Sequence, residues 1–294
     1  MLLASGMSHS VNDFHKSVVL RLKTKFPAEE ARAMADRLFE HYFRLTPVQR
    51  VINGNSLADE TTIHSVEAAA TRLLNHVPLQ YILGSAWFMD MEFNVNPSVL
   101  IPRPETEELV SLILKQYWGG ESDCELNILD IGTGSGCIAI ALKRNLPGSA
   151  VTAVDISQEA INVAVANAVK NTAKINFIIA DILDHSQWEV LPQIDVIVSN
   201  PPYVTHAEEH FMLPNVVDFE PHTALFVPDD DPLLFYRAIM AFAKTKLSPD
   251  GSLWFEINEK FGNELRDLAI SQGFRDVNII FDFQGKSRFL HAIK

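Results

Sequence analysis

The sequence predicts an α/β fold: a doubly wound, mostly parallel sheet with an antiparallel C-terminal hairpin, preceded by a small N-terminal helical bundle. Three observations carry this. From Asn127 onward, apolar strand-like runs alternate with helical patterns, which implies parallel strands joined by crossover helices. The first of these runs passes through Asp130-Ile131-Gly132-Thr133-Gly134-Ser135-Gly136 into the helical pattern Cys137 to Leu142. A strand, a glycine turn and a helix form the nucleotide-binding corner of such a sheet. Ahead of this region, apolar residues recur at helical spacing.

The first helical stretch carries Val11, Phe14, Val18 and Leu22; Pro27 opens a second with Ala31, Met34, Leu38 and Tyr42. A third holds Ile63, Val66, Ala70, Leu73 and Val77 and stops at Pro78. His9, His15, His41, His64 and His76 are scattered through this part without metal-ligand spacing, so no metal site is expected. Residues 1–84 are therefore read as a helical domain, used either for packing or for holding a partner protein. Trp87, Met89, Met91, Phe93 and Val95 alternate, which predicts a short hairpin, with residues 85–100 as a linker and 101–294 as the sheet domain. In Ile101-Pro102-Arg103-Pro104 two prolines fix the backbone before a helix with Leu109, Leu112 and Ile113. Glu105, Glu107 and Glu108 fall in its first turns, where the helix dipole favours them. Arg103 either pairs with an acid or lines a cofactor mouth.

Further strands are expected at Val151–Val154, Ile175–Ile179, Ile194–Ser199 and Ser252–Ile257, with helices near Gln158–Lys170, Pro232–Leu247 and Phe261–Gln272. Val277–Phe283 and Ser287–Ile293, around Gln284-Gly285-Lys286, read as the closing hairpin.

The net charge of −13 works against binding a phosphate backbone, and no run of lysines or arginines offsets it. No apolar run reaches membrane-spanning length, and the first six residues are too short and lack the basic flank of a signal peptide. The two cysteines, Cys124 and Cys137, have neither metal nor redox spacing. A reduced, cytoplasmic protein is expected, with no membrane and no direct nucleic-acid partner.

Two motifs carry chemistry. The glycine run is spaced Gly-x-Gly-x-Gly, not the Gly-x-Gly-x-x-Gly of dinucleotide sites, which suits S-adenosylmethionine better than a pyrophosphate. About twenty residues on, Asp155 ends the next strand, at the distance where an acid can bond ribose hydroxyls. Asn200-Pro201-Pro202-Tyr203 follows a buried strand. Such a turn suits methyl transfer to a planar nitrogen, whose lone pair is delocalised. Asn200 offers a side-chain carbonyl, the rigid Pro-Pro segment a backbone carbonyl, and Tyr203 an aromatic face. On its own, the tetrapeptide also reads as a turn whose Asn bonds only its own backbone.

With these residues in view, the chain resembles the HemK-type (PrmC) release-factor glutamine methyltransferases over nearly its whole length. The residues that carry the resemblance are Pro78 to Gly84, Ile101 to Glu107, Asp130 to Gly136, Asn200 to Tyr203, and Phe219-Glu220-Pro221-His222-Thr223-Ala224-Leu225. The resemblance implies a class I, Rossmann-like S-adenosylmethionine-dependent methyltransferase domain behind an N-terminal domain that recognises the substrate. The implied substrate is the glutamine of the Gly-Gly-Gln motif in class I peptide chain release factors, and the product is N5-methylglutamine. Carried onto this sequence, cofactor contacts fall on Gly132, Thr133, Gly134, Ser135, Gly136, Asp155, Asp181, Ile182 and Asn200. Ile182 stands where some relatives have an aromatic residue beside the adenine. Substrate contacts fall on Asn200, Pro201, Pro202 and Tyr203, with Asn200, Pro201 and Tyr203 in the catalytic role. Phe219-Glu220-Pro221 is expected to shape the substrate mouth. Glu256 is read as a carboxylate at the rim of the core, so no dedicated general base is expected.

Three other readings share these motifs. An adenine-N6 DNA methyltransferase can use the same tetrapeptide but needs a basic target-recognition segment, and none is visible. A ribosomal-protein glutamine methyltransferase is disfavoured by the Phe219–Leu225 segment and the N-terminal region. A silent S-adenosylmethionine-binding scaffold has no need of an amide acceptor at Asn200.

Overall fold

A computed structural model describes residues 10–117 and 125–294. Cys124 lies outside the described residues. The chain divides into two compact units, one up to Gly84 and one from Ser85 onward.

The first unit contains helices α1 (Val11–Leu22), α2 (Ala28–Phe43), α3 (Pro47–Asn53), α4 (Glu60–Leu74) and α5 (Leu79–Leu83). Phe14, Val18, Leu22, Leu38, Phe39, Val66 and Leu73 form its core, each on the inward stripe of its helix. Helix α3 was not expected from periodicity, because Val48, Val51 and Ile52 face outward. It forms through local chemistry instead: Thr46 and Gln49 make a reciprocal capping box and Pro47 occupies the first turn.

The second unit begins with β1 (Ser85–Phe88) and β2 (Met91–Asn94), paired antiparallel. The sequence reading made this hairpin a linker. The structure instead buries Phe88 and Phe93 completely in the same core cluster as Leu109, Ile140, Val196 and Trp254, so the hairpin belongs to the sheet unit. The elements that follow are α6 (Pro104–Tyr117), β3 (Asn127–Ile131), α7 (Cys137–Asn145), β4 (Ala150–Asp155), α8 (Gln158–Lys170), β5 (Asn176–Ile179) and β6 (Ile194–Ser199). An excursion holding β7 (Val204–Thr205), α9 (Pro214–Val217) and β8 (Phe226–Val227) leads to α10 (Leu234–Lys246). The chain ends with β9 (Leu247–Glu256), α11 (Gly262–Ser271), β10 (Arg275–Phe281) and β11 (Ser287–Ile293).

The seven-stranded sheet has the order β10-β11-β9-β6-β3-β4-β5. The five strands from β9 to β5 run parallel, and β11 and β10 are antiparallel additions at one edge. Strand side chains alternate between two cores, as in a sheet covered on both faces. Ile197, Leu253 and Phe255 pack with Tyr236, Ile239 and Leu265 on one side. Val196, Val198 and Trp254 pack with Leu109, Ile113 and Ile140 on the other. Among the described residues, no helix is long and apolar enough to cross a membrane.

Candidate active site

Register explains how distant motifs meet. Ile131 of β3 pairs with Ser199 of β6, and Ser199 pairs with Phe255 of β9. The residues just after each strand, Gly132 and Asn200, therefore emerge side by side with Glu256, the last residue of β9. Ile131 also pairs with Val154 of β4, which brings Asp155 beside the glycine turn. The Ser199 hydroxyl ties the two central strand ends together, donating to the Ile131 carbonyl at 2.6 Å. From β3 the chain crosses to β4 on one side, whereas β6 lies on the other. Such a reversal is where open α/β sheets bind ligands.

A cavity of about 370 Å³ opens there. Gly132, Thr133, Gly134 and Ser135 form one wall, Asp155 and Ile156 the next, and Asp181, Ile182 and Leu183 the third. Asn200, Pro201 and Pro202 close it with Arg103, Thr106, Pro221 and Phe226. The volume lies in the usual range for small-ligand sites, about 300–1,000 Å³.

The glycine loop is held from behind. The N–H groups of Gly132 and Thr133 donate to the Val154 carbonyl, and the Gly134 N–H donates to Asp155 Oδ2 at 2.9 Å. Gly134 has φ +53° with open space where a side chain would project, so backbone can approach a ligand there. The Thr133 hydroxyl is committed to Asp130 Oδ2 at 2.7 Å. Asp155 Oδ1 accepts from the Ser157 N–H. A carboxylate has about four acceptor positions, so the bonds from Gly134 and Ser157 leave room for a vicinal diol. Burial pushes the Asp155 carboxyl above its ordinary value. Beyond it, Ala180, Ile182 and Leu183 make an apolar slot. Ile182 is braced by its carbonyl, which accepts from the Trp188 indole at 3.0 Å. Glycine cradle, carboxylate and apolar slot fit the amino-acid tail, ribose and adenine of S-adenosylmethionine in turn.

At the other end of the cavity the Asn200 amide nitrogen donates to Thr106 Oγ1 at 3.1 Å. The Thr106 hydroxyl donates to Glu256 Oε2 at 2.7 Å, and the Tyr203 hydroxyl to Glu256 Oε1 at 3.0 Å. Glu256 is 2% exposed, and burial pushes its carboxyl upward against these two bonds. Arg103 lines the cavity and also pairs with the buried Glu220 at 2.5 Å, so both readings of Arg103 apply. Glu220 further accepts from the Ile101 N–H, fastening the Phe219-Glu220-Pro221 segment to the one that opens α6.

Two expected site residues lie elsewhere. Gly136 does not line the cavity: its φ of +82° caps α7, and a Cβ there would stand 3.1 Å from Ala164 Cβ, so it serves helix packing. Tyr203 does not line it either. Its hydroxyl turns inward to Glu256 and its half-buried ring packs against the core. Gly132, Thr133, Gly134, Ser135, Asp155, Asp181, Ile182, Asn200, Pro201 and Pro202 line the cavity as expected, and of Phe219-Glu220-Pro221 only Pro221 does. Among the described residues, no group of three or more His, Cys, Asp or Glu could hold a metal ion.

Comparison with known proteins gives this geometry a family. Residues 18–84 match the PrmC N-terminal domain model and residues 109–217 the methyltransferase small domain model. A release factor glutamine methyltransferase of Flavobacterium psychrophilum is 41% identical over 281 residues, covering 95% of this chain and 98% of that protein. The chain belongs to the release factor glutamine methyltransferases. A second member, from Bacteroides thetaiotaomicron, is 41% identical over 92% of this chain and 95% of its own. A methyltransferase crystal structure from Pyrococcus furiosus matches with a TM-score of 0.53 at 19% identity, over 78% of this chain and 98% of its own, and shares the fold. The sheet unit is thus a class I methyltransferase fold. Within this release factor glutamine methyltransferase, sequence reading passed over the role of Thr106, the pairing of Glu220 with Arg103 and the bonding of Glu256. Thr106 was legible only as one letter of Ile101–Glu107; its partner lies 150 positions away.

Proposed function

We propose that this protein transfers a methyl group from S-adenosylmethionine to the side-chain amide nitrogen of the glutamine in the Gly-Gly-Gln motif of class I peptide chain release factors. The product is N5-methylglutamine. The observation that carries the reading is Asn200, which lines the cavity with its amide nitrogen committed to Thr106, leaving its carbonyl as an acceptor. S-adenosylmethionine supplies an already activated methyl on a sulfonium. Gly132, Gly134, Asp155, Asp181 and Ile182 hold it, with Asp155 on the ribose hydroxyls.

The Asn200 carbonyl and the Pro201 backbone carbonyl accept the two hydrogens of the substrate amide. That turns one face of its nitrogen toward the methyl and raises its electron density; the nitrogen–methyl bond would form as the methyl–sulfur bond breaks with its electron pair left on sulfur, and one amide hydrogen would be lost as a proton. Proline on both sides of the accepting peptide limits its drift. The helical unit, residues 1–84, holds the release factor, because a three-residue loop alone offers little contact area.

The test is mass spectrometry of an intact release factor incubated with the protein and S-adenosylmethionine. One added methyl on the glutamine of Gly-Gly-Gln is expected. Methyl label appearing on ribosomal protein or on duplex DNA, with the release factor unmodified, would overturn the reading.

A further inference from the structure

We propose that Thr106, held by Glu256, is a positioning residue that fixes which end of the Asn200 amide faces the substrate. The inference rests on Asn200 being the amide acceptor. An Asn side chain is nearly symmetric in shape, so something must decide whether its oxygen or its nitrogen meets the ligand. Only the oxygen can accept a substrate N–H.

The hydrogen-bond directions make that decision. Glu256 receives the hydroxyl hydrogens of both Thr106, at 2.7 Å, and Tyr203, at 3.0 Å, so its two oxygens act as acceptors. A hydroxyl has a single hydrogen. Once Thr106 has given it to Glu256, only lone pairs remain on Oγ1 toward Asn200. The amide nitrogen of Asn200 donates to them at 3.1 Å. Turning the amide over would press its carbonyl oxygen against those lone pairs and forfeit the bond. The bond between Thr106 and Glu256 is buried: Thr106 is 2% exposed and Glu256 equally so. Glu256 is itself fixed, because the Tyr236 hydroxyl donates to its backbone carbonyl at 3.0 Å. The strand ends of β6 and β9 supply Asn200 and Glu256, and the first turn of α6 supplies the hydroxyl between them.

Thr106→Val removes the hydroxyl at nearly unchanged shape; Thr106→Ser keeps it. Steady-state methylation of intact release factor and calorimetric S-adenosylmethionine binding are measured for both, beside Asn200→Ala and wild type. Thr106→Val is expected to lower kcat about tenfold to hundredfold, the range for one buried hydrogen bond lost in the transition state. KM for the release factor and the dissociation constant for S-adenosylmethionine should stay within about twofold of wild type. Thr106→Ser should recover most of kcat. A Thr106→Val enzyme with wild-type kcat, or one whose cofactor affinity falls in step with its rate, would overturn the proposal. If Asn200→Ala itself keeps wild-type activity, the underlying reading of Asn200 fails instead.

Discussion

The Asp155 carboxylate accepts the Gly134 N–H at 2.9 Å, so the acid assigned to the ribose also holds the glycine turn in place. One residue thus shapes two walls of the cavity. On the proposed assignment, Asp155→Ala would lose the ribose bonds as well as the bond that holds the loop. It is expected to weaken S-adenosylmethionine binding by about 1.5–3 kcal/mol, the range for hydrogen bonds to a charged group. Calorimetric titration measures this directly, and an unchanged affinity would take Asp155 out of the site.

Among the described residues, the Asn200 side chain hydrogen-bonds to Thr106 alone, so its loss should fall on chemistry. Asn200→Ala is expected to reduce turnover on the order of 10²–10³, as for other positioned polar groups that meet developing charge. Binding of S-adenosylmethionine should survive largely intact. Paired rate and binding measurements on the folded variant decide it; turnover near the wild-type value would contradict the assignment.

Asp130 gives a prediction about stability and pH. It is fully buried with Oδ1 unpartnered, and burial pushes its carboxyl up to about 7, against the opposing bonds from Thr133 and the Ala139 N–H. The folded protein therefore holds this proton more tightly than the unfolded chain, whose value is near 3.8. The resulting stability is fully present below the unfolded value and is lost as pH rises through about 7. Each pKa unit corresponds to about 1.4 kcal/mol. Asp130→Asn cannot ionise, so its melting temperature, relative to wild type, should rise as pH goes from about 5 to about 8. Parallel Tm–pH curves for the two proteins would show that Asp130 does not titrate in this window.

Much of this was legible in the sequence because strands and helices announce themselves by period. Gln158–Lys170 and Ile194–Ser199 form as read, and the glycine turn, Asp155 and Asn200 meet because each ends a strand of one parallel sheet. What period cannot show is the direction of a side chain after a strand ends. Tyr203 was expected to face a ligand, yet a buried carboxylate 53 positions away draws its hydroxyl inward. Gly136 reads as one more loop glycine until the packing of α7 on Ala164 is seen. Helix α3 carries its apolar residues outward, so only its capping box could have revealed it. Thr106 and Glu256 bond across 150 positions, a relation that local pattern does not encode.

The helical unit provides the last test. The cavity is lined by residues from Ser98 to Ile239, all in the unit that begins at Ser85, and that unit has its own two core clusters. A chain beginning at Ser85 should therefore still bind S-adenosylmethionine. Stable protein complexes bury about 1,200–2,000 Å² in total, far more than a Gly-Gly-Gln loop can offer. If the helical unit supplies that further contact, the shortened chain should methylate intact release factor poorly. A short Gly-Gly-Gln peptide should be a poor substrate for both chains, since it lacks the surface that the helical unit would hold. The comparison is methyl transfer to intact factor by full and shortened chains at matched cofactor occupancy. Equal rates would show that residues 1–84 only cap the enzyme, and that the sheet unit alone recognises its protein substrate.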